Sequence, residues 1–159
     1  MKHLTITALS FTLLAAPVFG ASCNVSSTGI SFGSYIPNQT LPLDSVGTIV
    51  VVCVKSALDS LPMTVNYSLD ISRGGGASYT PRTMTSGGHT LNYNLYRDAL
   101  RSSVLGDGSG GTSSIAGTLQ LPSPLGTATG THSFYGRFFA SQNVYPGTYT
   151  DALVVTINY

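Results

Sequence analysis

The chain has 159 residues, 42% of them apolar and only 8% charged, with seven Lys or Arg, six Asp and no Glu. That length suits one ordinary domain with a core of its own. The near-neutral balance excludes electrostatic attraction to nucleic acid or to an anionic membrane, so solubility falls to Ser, Thr, Asn and Gly.

Met1-Lys2-His3 makes a short positive start, Leu4 to Ala16 is mostly apolar, and Pro17 ends that run before Val18-Phe19-Gly20. The pattern is that of a secretory leader, too short to span a bilayer stably and followed by no second apolar run of membrane length. Cleavage is expected after Gly20, with Ala21 as the next choice. This predicts a leader over residues 1–20 and an exported domain over residues 21–159, outside the cytoplasm. The exported part balances six cations against six aspartates, a surface on which like subunits pack without repulsion and which many secreted β-proteins share.

Cys23 and Cys53 are the two cysteines. In an exported chain a lone pair predicts one disulfide. It closes a loop of about thirty residues, worth about 3–4 kcal/mol in the chain-entropy account. Neither cysteine has a His or Asp beside it, and the spacing is far from that of a redox or metal pair.

The apolar period is two. Ile49 to Val54 is a continuous apolar run, which predicts a central strand covered on both faces. Met63, Val65, Tyr67, Leu69 and Ile71 alternate with Thr64, Asn66, Ser68 and Asp70, the pattern of a half-buried strand. Leu91, Tyr93 and Leu95 alternate with Asn92 and Asn94. Phe134, Gly136 and Phe138 share one face, and Leu153, Val155, Ile157 and Tyr159 share another. Gly- and Pro-rich breaks separate these runs. Seven or eight short strands and no helical stripe predict an all-β, immunoglobulin-like sandwich.

Chemistry is sparse. His89 follows Gly87-Gly88, which places it in a loop, and His132 lies near the start of a strand. Neither has metal-ligand spacing to another His or Cys, and no acid–base pair is present. Gly106-Asp107-Gly108-Ser109-Gly110-Gly111 offers one carboxylate where calcium wants several and lacks the Lys-Ser/Thr of a phosphate loop. It reads as a turn with glycines at positive φ. No catalytic residue, metal, cofactor or small-molecule substrate is expected.

An ordered set of short motifs runs through the exported part: Cys23, Phe32-Gly33-x-Tyr35, Gly47 to Cys53, Arg82-x-Met84 and Leu91-Asn92-Tyr93-Asn94-Leu95-Tyr96-Arg97-Asp98. It continues with Gly106-Asp107-Gly108, Tyr135-Gly136-Arg137 and Gly147-x-Tyr149-x-Asp151, followed by Leu153 to Tyr159. In this order and spacing the chain resembles the spore coat protein U domain family, which includes subunits of archaic chaperone–usher pili. Leu105 departs from the Trp that such sequences often carry before Gly-Asp-Gly. The resemblance implies a sandwich that lacks its last strand and is completed by strands lent in turn by a periplasmic chaperone and by a neighbouring pilus subunit, with an outer-membrane usher making the exchange. It implies a structural rather than enzymatic role, in adhesion or biofilm formation. The edge offered to the chaperone and donor strand is expected at Leu153, Val155, Ile157 and Tyr159, since the chain stops within that strand. At the other end only Ala21 and Ser22 precede Cys23, too few for a conventional donor strand, and the segment after Cys23 is expected to be held in the sandwich by the disulfide and by a strand over Phe32-Gly33-Ser34-Tyr35. A tip position in the fimbrium is therefore expected. The alternative is a secreted spore-coat or envelope structural protein that folds alone.

Overall fold

The computed structural model describes residues 20–56, 60–123 and 126–159. The expected leader lies outside these residues except for Gly20. Among the described residues there is no helix, and eight strands form two antiparallel sheets. The strands are β1 (Ala21–Ser27), β2 (Leu43–Lys55), β3 (Met63–Ile71), β4 (Arg82–Ser86), β5 (His89–Tyr96), β6 (Ile115–Leu121), β7 (Thr127–Phe138) and β8 (Val155–Asn158). One sheet has the order β1-β2-β7-β5-β4 and the other β6-β3-β8.

The frame is the long β2–β7 ladder, which runs from Leu43 opposite Phe138 to Val54 opposite Thr127. β-branched residues crowd β2, with Thr127, Thr129 and Thr131 on the facing part of β7, and they fit a pleated, half-buried surface. Cys23 stands opposite Cys53 in the β1–β2 register, and the two form the disulfide. Ile49, Val51 and Cys53 of β2 are buried together with Leu69 and Ile71 of β3, Tyr93 and Leu95 of β5, and Phe134 and Phe138 of β7. Tyr67 also joins this core. Its ring lies against Gly117 and Gly130, where a Cβ would overlap it.

Three expectations need correction. Ile49 to Val54 is not covered on both faces: Val50 and Val52 are half-buried and Val54 is 44% exposed. β2 is central within its sheet, but a two-layer sandwich covers each sheet on one face only. Phe32 to Tyr35 forms no strand and packs as irregular chain. His89 is the first residue of β5, with its ring stacked on Tyr145 at 4.2 Å. The glycine-rich turn follows its expected conformation, with φ of +85° at Gly108, +57° at Gly110 and +79° at Gly111.

Candidate functional site

β8 is an edge strand. It pairs with β3 from Ile71 opposite Val155 to Ser68 opposite Asn158, and its other side has no strand partner among the described residues. β1 is likewise one edge of the larger sheet, with β4 at the other. One hydrogen bond joins the two edges among the described residues: the Cys23 N–H donates to Tyr159 Oη at 3.2 Å. A seam therefore opens between the sheets from the disulfide end toward Ser27 and Leu153. One cleft lies along it and a second adjoins it, the two sharing Ile30 and Met84. The first, of about 330 Å³, is lined by Ser27, Ile30, Met84, Phe134, Leu153 and Val155, among others. The other, about 570 Å³, continues past Phe32, Tyr35, Leu91, Phe138 and Tyr149.

The residues expected at this edge are distributed unevenly. Leu153, Val155 and Ile157 pack half-buried against the core, while Val154, Thr156 and Asn158 face out. Leu153 and Tyr159 lie just beyond the four-residue strand, and Tyr159 is 59% exposed. Half-burial of three successive inward-facing residues marks a sheet face with incomplete cover.

Motif residues with no role assigned by sequence turn out to fasten the approach to β8. Arg82 is fully buried. Its guanidinium donates to the carbonyls of Leu105 at 2.6 Å and Ser72 at 3.1 Å and to Asn94 Oδ1 at 3.0 Å. The Tyr79 ring lies 4.9 Å from it. Leu105, at the position where Trp is common, is fully buried and supplies one of these carbonyls. Tyr93 Oη donates to Asp151 Oδ2 at 2.6 Å, and Asp151 Oδ1 accepts from the Gly75 N–H at 2.8 Å. Burial, then the Asp151 carboxylate, pushes the Tyr93 phenol well above its usual range. Asp151 thus pins the chain four residues before β8 begins. Buried polar groups of this kind demand full pairing. The signal available in the sequence was the place of Arg82-x-Met84 among the ordered motifs.

Elsewhere the titratable groups serve their own surroundings. His132 Nε2 meets Tyr67 Oη at 2.7 Å, and burial lowers the imidazole pKa. Asp107 accepts from the Ser109 N–H and hydroxyl at 2.9 and 2.6 Å, bonds that hold its carboxyl down at about 2. That carboxylate is engaged by its own turn.

The described geometry fits relatives found by comparison. Residues 9–156 match the model of the Spore Coat Protein U domain. "Protein U" of Myxococcus xanthus is 31% identical over 149 residues, covering 88% of this chain and 79% of that protein. Among solved structures, the chaperone–tip adhesion subunit complex CsuC–CsuE, from the archaic chaperone–usher Csu pili of Acinetobacter baumannii, superposes with TM-score 0.55 at 16% identity. The match covers 87% of this chain and 40% of that one, a likeness of fold. An all-β sandwich with these motifs, matched by the family model over most of its length, places the chain in the Spore Coat Protein U domain family.

Proposed function

We propose that this chain is a structural subunit of a bacterial surface fibre, assembled by the chaperone–usher route through a strand lent by another chain. The observation that carries the reading is the unpaired side of β8, where Leu153, Val155 and Ile157 stay half-buried and the first two line the smaller cleft at the seam. An added strand would pair with the free N–H and C=O groups of β8 and cover that apolar face. The partners on this reading are a periplasmic chaperone, an outer-membrane usher and neighbouring subunits. The chain is exported after cleavage at Gly20, contributes to adhesion or biofilm formation, and carries out no catalysis.

From Ala21 onward the chain is committed to β1, with Ala21 opposite Lys55 and the disulfide one residue beyond Ser22. A donor segment would have to precede Ala21. With cleavage at Gly20 the subunit accepts a strand without donating one and stands at the fibre tip. N-terminal sequencing of the exported protein tests this, and a start well upstream of Ala21 would refute it.

The strand-accepting reading itself is tested by co-purification with a pilus chaperone. Val155→Asp places a charge where the added strand would cover the sheet. Chaperone capture is expected to be lost, and normal capture by this variant would overturn the assignment. A second reading, a coat or envelope protein that folds alone, is favoured by one observation: Ile30 and Phe32 already occupy part of the seam.

A further inference from the structure

Between β1 and β2 the chain crosses the seam without joining either sheet. Ile30 lines both clefts and so divides the larger space into two. Phe32 stacks on Phe138 at 4.1 Å and meets Tyr93 edge-on at 6.1 Å. Tyr35 meets Phe138 edge-on at 6.2 Å, and its hydroxyl accepts the Gln142 N–H at 2.8 Å. The inner face of β7 is shaped for this segment. Phe134 and Phe138 flank Gly136, and a Cβ at residue 136 would stand 2.5 Å from both Ile30 Cδ1 and Phe32 Cζ. The missing side chain is the seat into which the two apolar side chains fit.

The backbone is held quite differently. Ser45 Oγ donates to the Ser31 carbonyl at 2.6 Å. Among the described residues, no backbone N–H from Ile30 to Tyr35 donates a hydrogen bond. The segment therefore rests on side-chain packing, whereas an added strand would bring a ladder of backbone bonds as well as apolar cover.

We propose that residues 28–37 are an intramolecular plug, seated through Ile30 and Phe32 on Gly136, that closes the seam of the free subunit and is lifted when a strand adds to β8. The plug itself is independent of the pilus reading; its lifting rests on that reading. The plug gives the free chain a covered core between synthesis and assembly, and it raises the threshold for capturing a wrong strand.

The chain has no Trp, so Phe32→Trp introduces a single reporter. In the free folded protein the indole is expected to emit at short wavelength, with acrylamide quenching several-fold weaker than in urea. Equal quenching in the two states would overturn the plug. Adding Gly136→Val should expel the segment, raising quenching and anilinonaphthalene sulfonate binding while the far-ultraviolet sheet signal persists. If that variant fails to fold, Ile30→Ser with Phe32→Trp gives the same reading, and an indole that stays protected there counts against the plug. In the purified chaperone complex, an exposed indole supports lifting and a protected one overturns it. Failure to form any complex counts against the strand-accepting reading alone, because the free chain still decides the plug.

Discussion

The two sides of this sandwich are built on different terms. Along β2 and β7, twelve residue pairs run in unbroken register, the disulfide ties β1 in, and Ile49, Val51 and Cys53 are fully buried. Along the seam, β8 has four residues, its inward side chains are half-buried, and the neighbouring plug lacks a ladder. The closed side supplies the stability. On the proposed reading the seam is where the molecule changes partners, since the elements that move are drawn from the less stable parts of a fold. The buried clamp around Arg82 and Asp151 lies between them and holds the open side in place without closing it.

Substitutions on the closed side and in the clamp should therefore lower stability and leave strand capture intact in whatever protein folds, the reverse of Val155→Asp. The largest effect is expected at Arg82. Arg82→Ala removes the donors to the Leu105 and Ser72 carbonyls and one of two donors to Asn94 Oδ1; each buried acceptor left unpaired costs about 1–3 kcal/mol, and the space left by a long buried side chain adds to the loss. Urea unfolding would show it, and a loss under about 1 kcal/mol would mean that the clamp is dispensable.

Next comes the disulfide. Cys23→Ala with Cys53→Ala should cost about 3–4 kcal/mol, and intact-mass analysis with and without reductant should show no free thiol in the native protein. A smaller effect is expected from Gly130→Ala, whose Cβ would run into Tyr67 Oη. Overpacking of this kind costs about 1–3 kcal/mol. Since Tyr67 also bonds His132, a Tyr67→Phe background should relieve part of the loss.

The smallest effect belongs to the surface pair on β2 and β7. Asp44 accepts from Arg137 Nε at 2.7 Å and Nη2 at 2.8 Å, and Arg101 stands at 3.0 Å. The Arg137 hydrogen bonds hold the Asp44 carboxyl below its usual range. A depressed carboxyl stabilises the fold above its unfolded value of 3.8. That contribution fades as pH falls through the lower folded value. The group is partly exposed and screened, so Asp44→Asn should cost under about 1 kcal/mol near neutral pH. The difference from wild type should vanish in acid and shrink in high salt. A difference that persists in acid would show that another interaction is at work.

Much of this was legible in one dimension. Period-two patterning located β3, β5 and β7 because side chains alternate across a pleated sheet whatever its neighbours are. The disulfide followed from export and an unaccompanied cysteine pair. The turn at Gly106 to Gly111 followed from glycine's tolerance of positive φ. Leu153, Val155 and Ile157 could be recognised as one face of a strand.

What the sequence left undecided depends on which surfaces meet. Whether Ile49 to Val54 is covered once or twice depends on a second layer, and local composition does not record it. Phe32 to Tyr35 carries strand-like residues, yet it lies in the seam with no ladder beside it. Arg82 stood in the sequence only as part of the Arg82-x-Met84 motif; the convergence of Asn94, Ser72 and Leu105 is what makes its burial tolerable. Gly136 read as one residue of a motif, and its role became visible only when Ile30 and Phe32 were found in the space a side chain would fill. Alternation and turn chemistry are short-range and survive in sequence. Coverage, convergence and vacancy are properties of segments far apart in the chain, and the tertiary structure alone brings them together.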